Sequence, residues 1–114
     1  MVGPRLSKFR DLEFSPRFEH GDMAQIAQVV SGEDLSELGT GFARMTNAKI
    51  PWTVKYDELI LVIEGEFSVE TEHETFVAGP KDSIWLPNGT QLIYRAENAL
   101  VFYAIHPVNW ADEQ

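Results

Sequence analysis

The chain has 114 residues, 44% of them apolar, with 8 Gly and 6 Pro, which is enough for one globular domain and too little for two. Asp and Glu number 18 against 9 Lys and Arg, a net charge of −9 that excludes the clustered basic face of a nucleic-acid binder. Cysteine is absent, which excludes disulfide frameworks, thiol catalysis, iron–sulfur clusters and cysteine-held zinc together. The longest apolar run, Leu59 to Ile63, is far short of the ~20 residues of a membrane-spanning helix. No basic start followed by a hydrophobic stretch marks a secretory signal, so the expected setting is the cytoplasm.

In chain order, the first 18 residues hold four of the nine basic side chains, Arg5, Lys8, Arg10 and Arg17, together with Phe9, Leu12, Phe14 and Phe18. They predict an extended arm whose apolar side chains pack on the body or on a partner chain. The boundary is drawn at residue 22, giving an arm over 1–22 and a β-domain over 23–114. Ile26, Val29 and Val30 predict a strand over Met23–Val30, and Ser31-Gly32-Glu33-Asp34 a polar connection with one helical turn. Gly39-Thr40-Gly41 is a turn into a strand over Phe42–Thr46, since no Lys-Ser/Thr follows to make a phosphate loop.

Trp52 to Ile63 is β-rich and apolar on both faces at its end, the pattern of a strand buried on two sides. After Gly65, Glu66 to Glu70 alternates, turning Phe67 and Val69 inward. Thr71 to Glu74 is a hairpin tip, Thr75–Val77 the returning strand, Ser83–Leu86 another, and Pro87-Asn88-Gly89 a stop. Gln91–Arg95 and Leu100–Ile105 predict two final strands. Short strands every 8–12 residues with turns between them predict an all-β sandwich or barrel.

Two segments then acquire meaning together: ELILVIEG, from Glu58 to Gly65, and Pro87-Asn88-Gly89 behind Gly79 to Leu86. They resemble the paired motifs of the cupin superfamily, which implies a single-domain double-sheet jelly-roll β-barrel. Phe42, Pro51 to Glu58, Val101-Phe102-Tyr103 and Pro107-Val108-Asn109-Trp110 further resemble the ethanolamine-utilisation cupins of the EutQ type. That resemblance implies a part in ethanolamine breakdown and an acetate kinase activity, although the sequence has no Walker pattern or kinase loop.

The cupin resemblance also implies a divalent metal held by two histidines and a glutamate of the first motif and a histidine of the second. Glu58 stands at the glutamate position, but the histidine positions fall on Trp52 and Val54 (or Pro51 and Thr53) and on Leu92. His20 lies in the arm, His73 at a hairpin tip and His106 at a strand end, so the expectation is no tightly bound metal and no cofactor.

Alternation places Trp52, Val54, Tyr56 and Glu58 on one face, the barrel interior in this fold. A carboxylate there must be protonated, hydrogen-bonded or wet. Glu58 with Tyr56 and Tyr103 is therefore the candidate acid/base group, and Trp52, Arg44, Tyr94 and His106 are candidate ligand contacts. Arg44 enters as the candidate cation because alternation through Phe42, Arg44 and Thr46 can turn it inward. The functions in competition are a small-molecule-binding cupin, enzymatic or accessory; a metal enzyme with a degenerate ligand set; and a non-catalytic homodimeric module. Neither nucleic acid nor membrane is expected as a partner.

Overall fold

The computed structural model describes residues 3–17 and 21–113, so Phe18 and His20 of the arm lie outside the described residues. Eight strands make up most of the described chain: β1 (Ser15–Pro16), β2 (Ala24–Val30), β3 (Gly39–Thr53), β4 (Asp57–Gly65), β5 (Phe67–Glu70), β6 (Thr75–Ala78), β7 (Ser83–Leu86) and β8 (Gln91–His106). Among the described residues, short 3-10 turns at Phe9–Asp11, Gly32–Asp34 and Trp110–Glu113 are the helical elements. All pairings are antiparallel, in the order β1-β2-β3-β8-β4-β7, with β5 joining β8 to β6.

The architecture turns on β8. It pairs with β3 from Thr53↔Gln91 to Gly39↔Ile105, while its first half also takes β5 (Ser68↔Arg95) and its second half β4 (Asp57↔His106). One long strand thus joins the β5–β6 hairpin and the β4–β7 pair to β3 within a single eight-stranded sheet. The two short final strands read from the sequence are this single 16-residue element. Glu97-Asn98 looks like a break because both residues are polar, yet Asn98 pairs with Thr46, and the irregularity is taken up on the β3 side at Asn47, whose φ is +44°. Likewise the strand expected over Phe42–Thr46 extends from Gly39 to Thr53.

Alternation sorts β4 into inward Glu58, Ile60 and Val62 and outward Leu59, Leu61 and Ile63. The outward three are 47%, 38% and 39% exposed, so this strand is covered on one face and not on two. Trp85, opposite Leu59 on β7, is 59% exposed on the same outer face, and Ile84 and Leu86 point inward in its place. Phe67 and Val69 are fully buried, with Ile50, Val54, Val62 and Leu86. Each such side chain contributes about 1.5–3 kcal/mol by leaving water. Gly65 ends β4 at φ +79°, and a Cβ there would collide with the Asn98 carbonyl oxygen, so this turn against β8 requires glycine.

The arm packs on its own barrel. Phe9 meets Phe42 edge-on at 5.1 Å and Phe14 at 6.0 Å, and Phe42 in turn meets Phe102 at 5.1 Å. Ahead of them Arg5 donates to Asp34 Oδ1 (2.6 Å) and Oδ2 (3.0 Å) and to the Val29 carbonyl (2.5 Å). Asp34 also accepts from the Ser31 N–H in a capping box. The Arg5 hydrogen bonds, then the Ser31 N–H, hold the Asp34 carboxyl down to about 2. From this latch the chain runs into β1, where Ser15 and Pro16 pair with Ile26 and Gln25, and Arg17 donates its backbone N–H to Ala24 (3.0 Å).

Candidate functional site

A cavity of about 150 Å³ opens at one end of the barrel, and its polar lining comes from separate parts of the chain. β4 and the turn before it supply Glu58 and Tyr56, β8 supplies Tyr94 and Tyr103, β2 supplies Gln28, and the segment after β1 supplies Arg17. Ile50, Ile60, Phe67 and Val101 form apolar wall. Register explains the convergence. Glu58 lies opposite Ile105 and Ile60 opposite Tyr103, so the inward residues of β4 face inward residues two apart on β8.

Glu58 is 6% exposed and accepts a 2.7 Å hydrogen bond on Oε1 from the Tyr94 hydroxyl. Burial pushes its carboxyl up to about 7, while the Tyr94 hydrogen bond and then the Arg17 charge pull the other way. The tyrosines respond in kind. Burial first, then the negative charge of Glu58, raises Tyr56 and Tyr103 to about 12 and lifts Tyr94 well above its ordinary value. All three hydroxyls therefore keep their protons through the neutral range. Glu58 is the group in this cluster whose titration burial brings closest to neutral pH.

Aromatic side chains close the mouth. Trp110, from the C-terminal 3-10 turn, meets Trp52 edge-on at 5.8 Å and tilts against Tyr56 at 5.2 Å. The Arg17 guanidinium lies 5.2 Å from the centre of the Trp52 ring, within cation–π range. Trp52 Nε1 is buried without an acceptor in hydrogen-bonding geometry, yet both it and Arg17 act on the Tyr56 hydroxyl and temper its rise. Tyr103 lies against Gly41, where a Cβ would come within 2.6 Å of its hydroxyl oxygen.

Of the residues singled out from sequence, Glu58, Tyr56, Tyr94 and Tyr103 meet at the cavity, and Trp52 stands beside its mouth. Arg44 does not join them. Ala43 and Met45 take the inward positions of β3, so Arg44 projects from the outer face and lies 5.6 Å from the centre of the Phe14 ring. His106 is exposed at the end of β8, opposite Asp57, and does not line the cavity. Asp57 accepts a 3.0 Å hydrogen bond from the Asn88 N–H, tying the second motif's turn to the first motif's strand. Arg17 and Trp110 were missed as site residues. Both come from the chain's ends, where no alternation shows which way a side chain points.

A metal of the cupin kind does not fit these donors. Val54 and Leu92 are buried packing residues, Trp52 offers only an N–H, and one of the two Glu58 oxygens is engaged by Tyr94. Among the described residues no group of three or more His, Cys, Asp or Glu is placed to hold an ion. Nor, among those residues, is any helix long and apolar enough to cross a membrane.

Comparison with known proteins agrees with this architecture. Residues 10–112 match the family described as ethanolamine utilisation protein EutQ. The Escherichia coli K12 protein named acetate kinase EutQ is 35% identical over 86 residues, which cover 75% of this chain and 37% of that one. This chain therefore spans little more than a third of that relative. The crystal structure of an ethanolamine utilization protein from Salmonella typhimurium LT2 superposes with a TM-score of 0.83 at 28% identity, covering 90% of this chain and 85% of the other. An RmlC-like cupin from Shewanella frigidimarina shares the fold at 15% identity, with a TM-score of 0.74 over 94% and 95% of the two chains.

The Glu58 environment has a consequence for stability. Below pH 4.5 the carboxyl is protonated whether the chain is folded or not. Between 4.5 and about 7 the unfolded chain releases the proton while the folded chain keeps it, so stability falls as pH rises and levels off above pH 7. That interval corresponds to a loss of about 3 kcal/mol at most. Glu58→Gln keeps an acceptor for Tyr94 and cannot ionise. Urea denaturation at pH 5 and pH 8.5 should show the wild type losing on the order of 2–3 kcal/mol relative to the variant; parallel profiles would rule out a raised Glu58. Taken together, the jelly-roll barrel, the interrupted metal motif and the match across residues 10–112 place this chain in the EutQ family of cupins.

Proposed function

We propose that the chain is a small-metabolite-binding domain of cytoplasmic ethanolamine catabolism, in which Glu58 exchanges a proton with the ligand. The observation that carries this reading is the buried Glu58–Tyr94 hydrogen bond on the wall of an otherwise largely apolar cavity. A carboxyl buried among apolar walls is costly to keep as packing, whereas one that titrates near neutrality is suited to give and take a proton. Tyr56 and Tyr103 serve as neutral hydrogen-bonding groups that orient the ligand, and Trp52 with Trp110 shapes the mouth.

Size limits what the cavity takes. About 150 Å³ is comparable to an apolar cavity that holds benzene, roughly six non-hydrogen atoms. Two-carbon metabolites fit and a nucleotide does not. The relatives' name, acetate kinase, supports a two-carbon ligand, and any phosphoryl donor would have to reach it from outside the barrel.

Homodimerisation belongs to the same proposal. Leu59, Leu61, Ile63 and Trp85 form an exposed apolar patch that two copies can cover against each other. The folded-back arm favours this face over an arm-mediated contact.

Two measurements test these readings. Ligand-observed NMR with ethanolamine, acetaldehyde, acetate and acetyl phosphate should detect at least one that binds the wild type, with affinity at least ten-fold weaker in Glu58→Gln; equal affinity in a folded variant would remove Glu58 from the site. Sedimentation velocity should give twice the chain mass for the wild type and a single chain mass for Leu59→Glu, and a monomeric wild type would contradict the dimer.

A further inference from the structure

The Gly39-Thr40-Gly41 segment, which the sequence suggests is a turn, lies inside β3, and neither glycine has a positive φ. Glycine serves here to leave space. Gly41 shares the inward parity of Ala43 and Met45, both of which line the cavity. It stands in a row that crosses the sheet, with Gln28 of β2 on one side, Tyr103 of β8 on the other, and Ile60 of β4 beyond Tyr103. Gln28, Tyr103 and Ile60 all line the cavity. A Cβ on Gly41 would fall 2.6 Å from the Tyr103 hydroxyl oxygen and 2.9 Å from the ring carbon that bears it. The tyrosine therefore occupies the place where a side chain of β3 would otherwise stand. Gly39 makes room in the same manner for Val108, whose Cγ2 would lie 2.6 Å from a Cβ there.

We propose that Gly41 is a positioning residue of the site: its missing side chain seats the Tyr103 ring against β3, which fixes where the Tyr103 hydroxyl meets a ligand and keeps the ring out of the cavity. The inference rests on the metabolite-binding reading above for the ligand, and on packing alone for the seat. Two of the site's tyrosines are thus placed by different means. A hydrogen bond to Glu58 holds the Tyr94 hydroxyl, whereas close packing over bare backbone sets the Tyr103 hydroxyl. A ring laid over a glycine of the neighbouring strand recovers the packing that the glycine forgoes. The cavity, about 150 Å³, is comparable to the space of one benzene ring. A Tyr103 ring lifted from its seat would therefore fill the room that a ligand needs.

Fluorine-19 NMR of the full chain, with 3-fluorotyrosine in place of its three tyrosines, tests the seat. The Tyr103 signal, assigned by its absence in Tyr103→Phe, should shift in Gly41→Ala by more than the Tyr56 and Tyr94 signals do. Ligand-observed NMR with ethanolamine, acetaldehyde, acetate and acetyl phosphate tests the consequence. Whichever probe binds the wild type should bind Gly41→Ala at least ten-fold more weakly. The Ala27 carbonyl oxygen also lies 2.6 Å from that Cβ, so the Tyr103→Ala background separates the two contacts. There, adding Gly41→Ala should cost less than about two-fold more, because the two positions act as one unit. Circular dichroism and thermal melts establish that each variant is folded. Should Gly41→Ala fail to fold, nuclear Overhauser contacts in the unsubstituted chain between the Tyr103 ring and the Gly41 α-protons decide, and their absence would overturn the seat. A Tyr103 signal that stays in place in folded Gly41→Ala would overturn it as well. Equal losses with and without the Tyr103 ring would show the glycine acting through the Ala27 carbonyl and would overturn the positioning role, as would undiminished affinity beside a shifted signal. A shifted signal with no binding by any probe would leave the seat standing and overturn the metabolite-binding reading, and with it the role toward a ligand.

Discussion

The 2.7 Å hydrogen bond from Tyr94 to Glu58 joins two strands 36 residues apart in the chain, and it exists because a carboxyl has been carried into a barrel otherwise packed with isoleucine, valine and phenylalanine. Such a group must be neutral, paired or hydrated. The structure meets that demand with one phenol from β8 and the more distant field of Arg17. The raised proton affinity of Glu58 and the polar end of the cavity follow from that placement, and the Glu58 charge adds to the burial that already raises the three tyrosines.

The same site depends on the ends of the chain. The barrel strands supply the carboxyl and the phenols, but the cation comes from behind β1 and Trp110 from the final 3-10 turn. The arm reaches the mouth by a defined route, clamped by Arg5 on Asp34, then packed through Phe9 and Phe14 along the outside of β3. Its aromatic residues fix where Arg17 arrives. The arm, expected to pack on the body or on a partner chain, packs on its own barrel and carries Arg17 to the cavity.

The fold was legible because β-periodicity is local. Alternation along Glu66–Glu70 and Ser83–Leu86 sorts side chains into core and surface, as Phe67, Val69, Ile84 and Leu86 show. The same rule put Tyr56 and Glu58 on the inner face, even though the strand is interrupted between β3 and β4. It failed where several residues are of mixed character. Phe42, Arg44 and Thr46 alternate as well as Ala43 and Met45 do, and Ala43 and Met45, not the phenylalanine, take the core side because the arm supplies aromatic cover outside. Trp85 and the leucines of β4 look like core by composition, yet they stand on the outer face of β4 and β7, where they stay 38–59% exposed. Arg17 could not be found by pattern at all. Its place is set by a two-residue pairing to β2 and by a tryptophan 35 positions away, contacts that leave no local period.

The role proposed for Glu58 requires that it hold its proton to neutral pH inside the barrel. Carbon-13 NMR of the Glu58 side-chain carboxyl, assigned by comparison with Glu58→Gln and followed from pH 3 to 9, measures this directly. A titration midpoint close to 7 is the predicted result. A midpoint near the ordinary glutamate value of about 4.3 would show a solvated or firmly ion-paired carboxylate, and the proton-exchanging role given to this residue would be wrong.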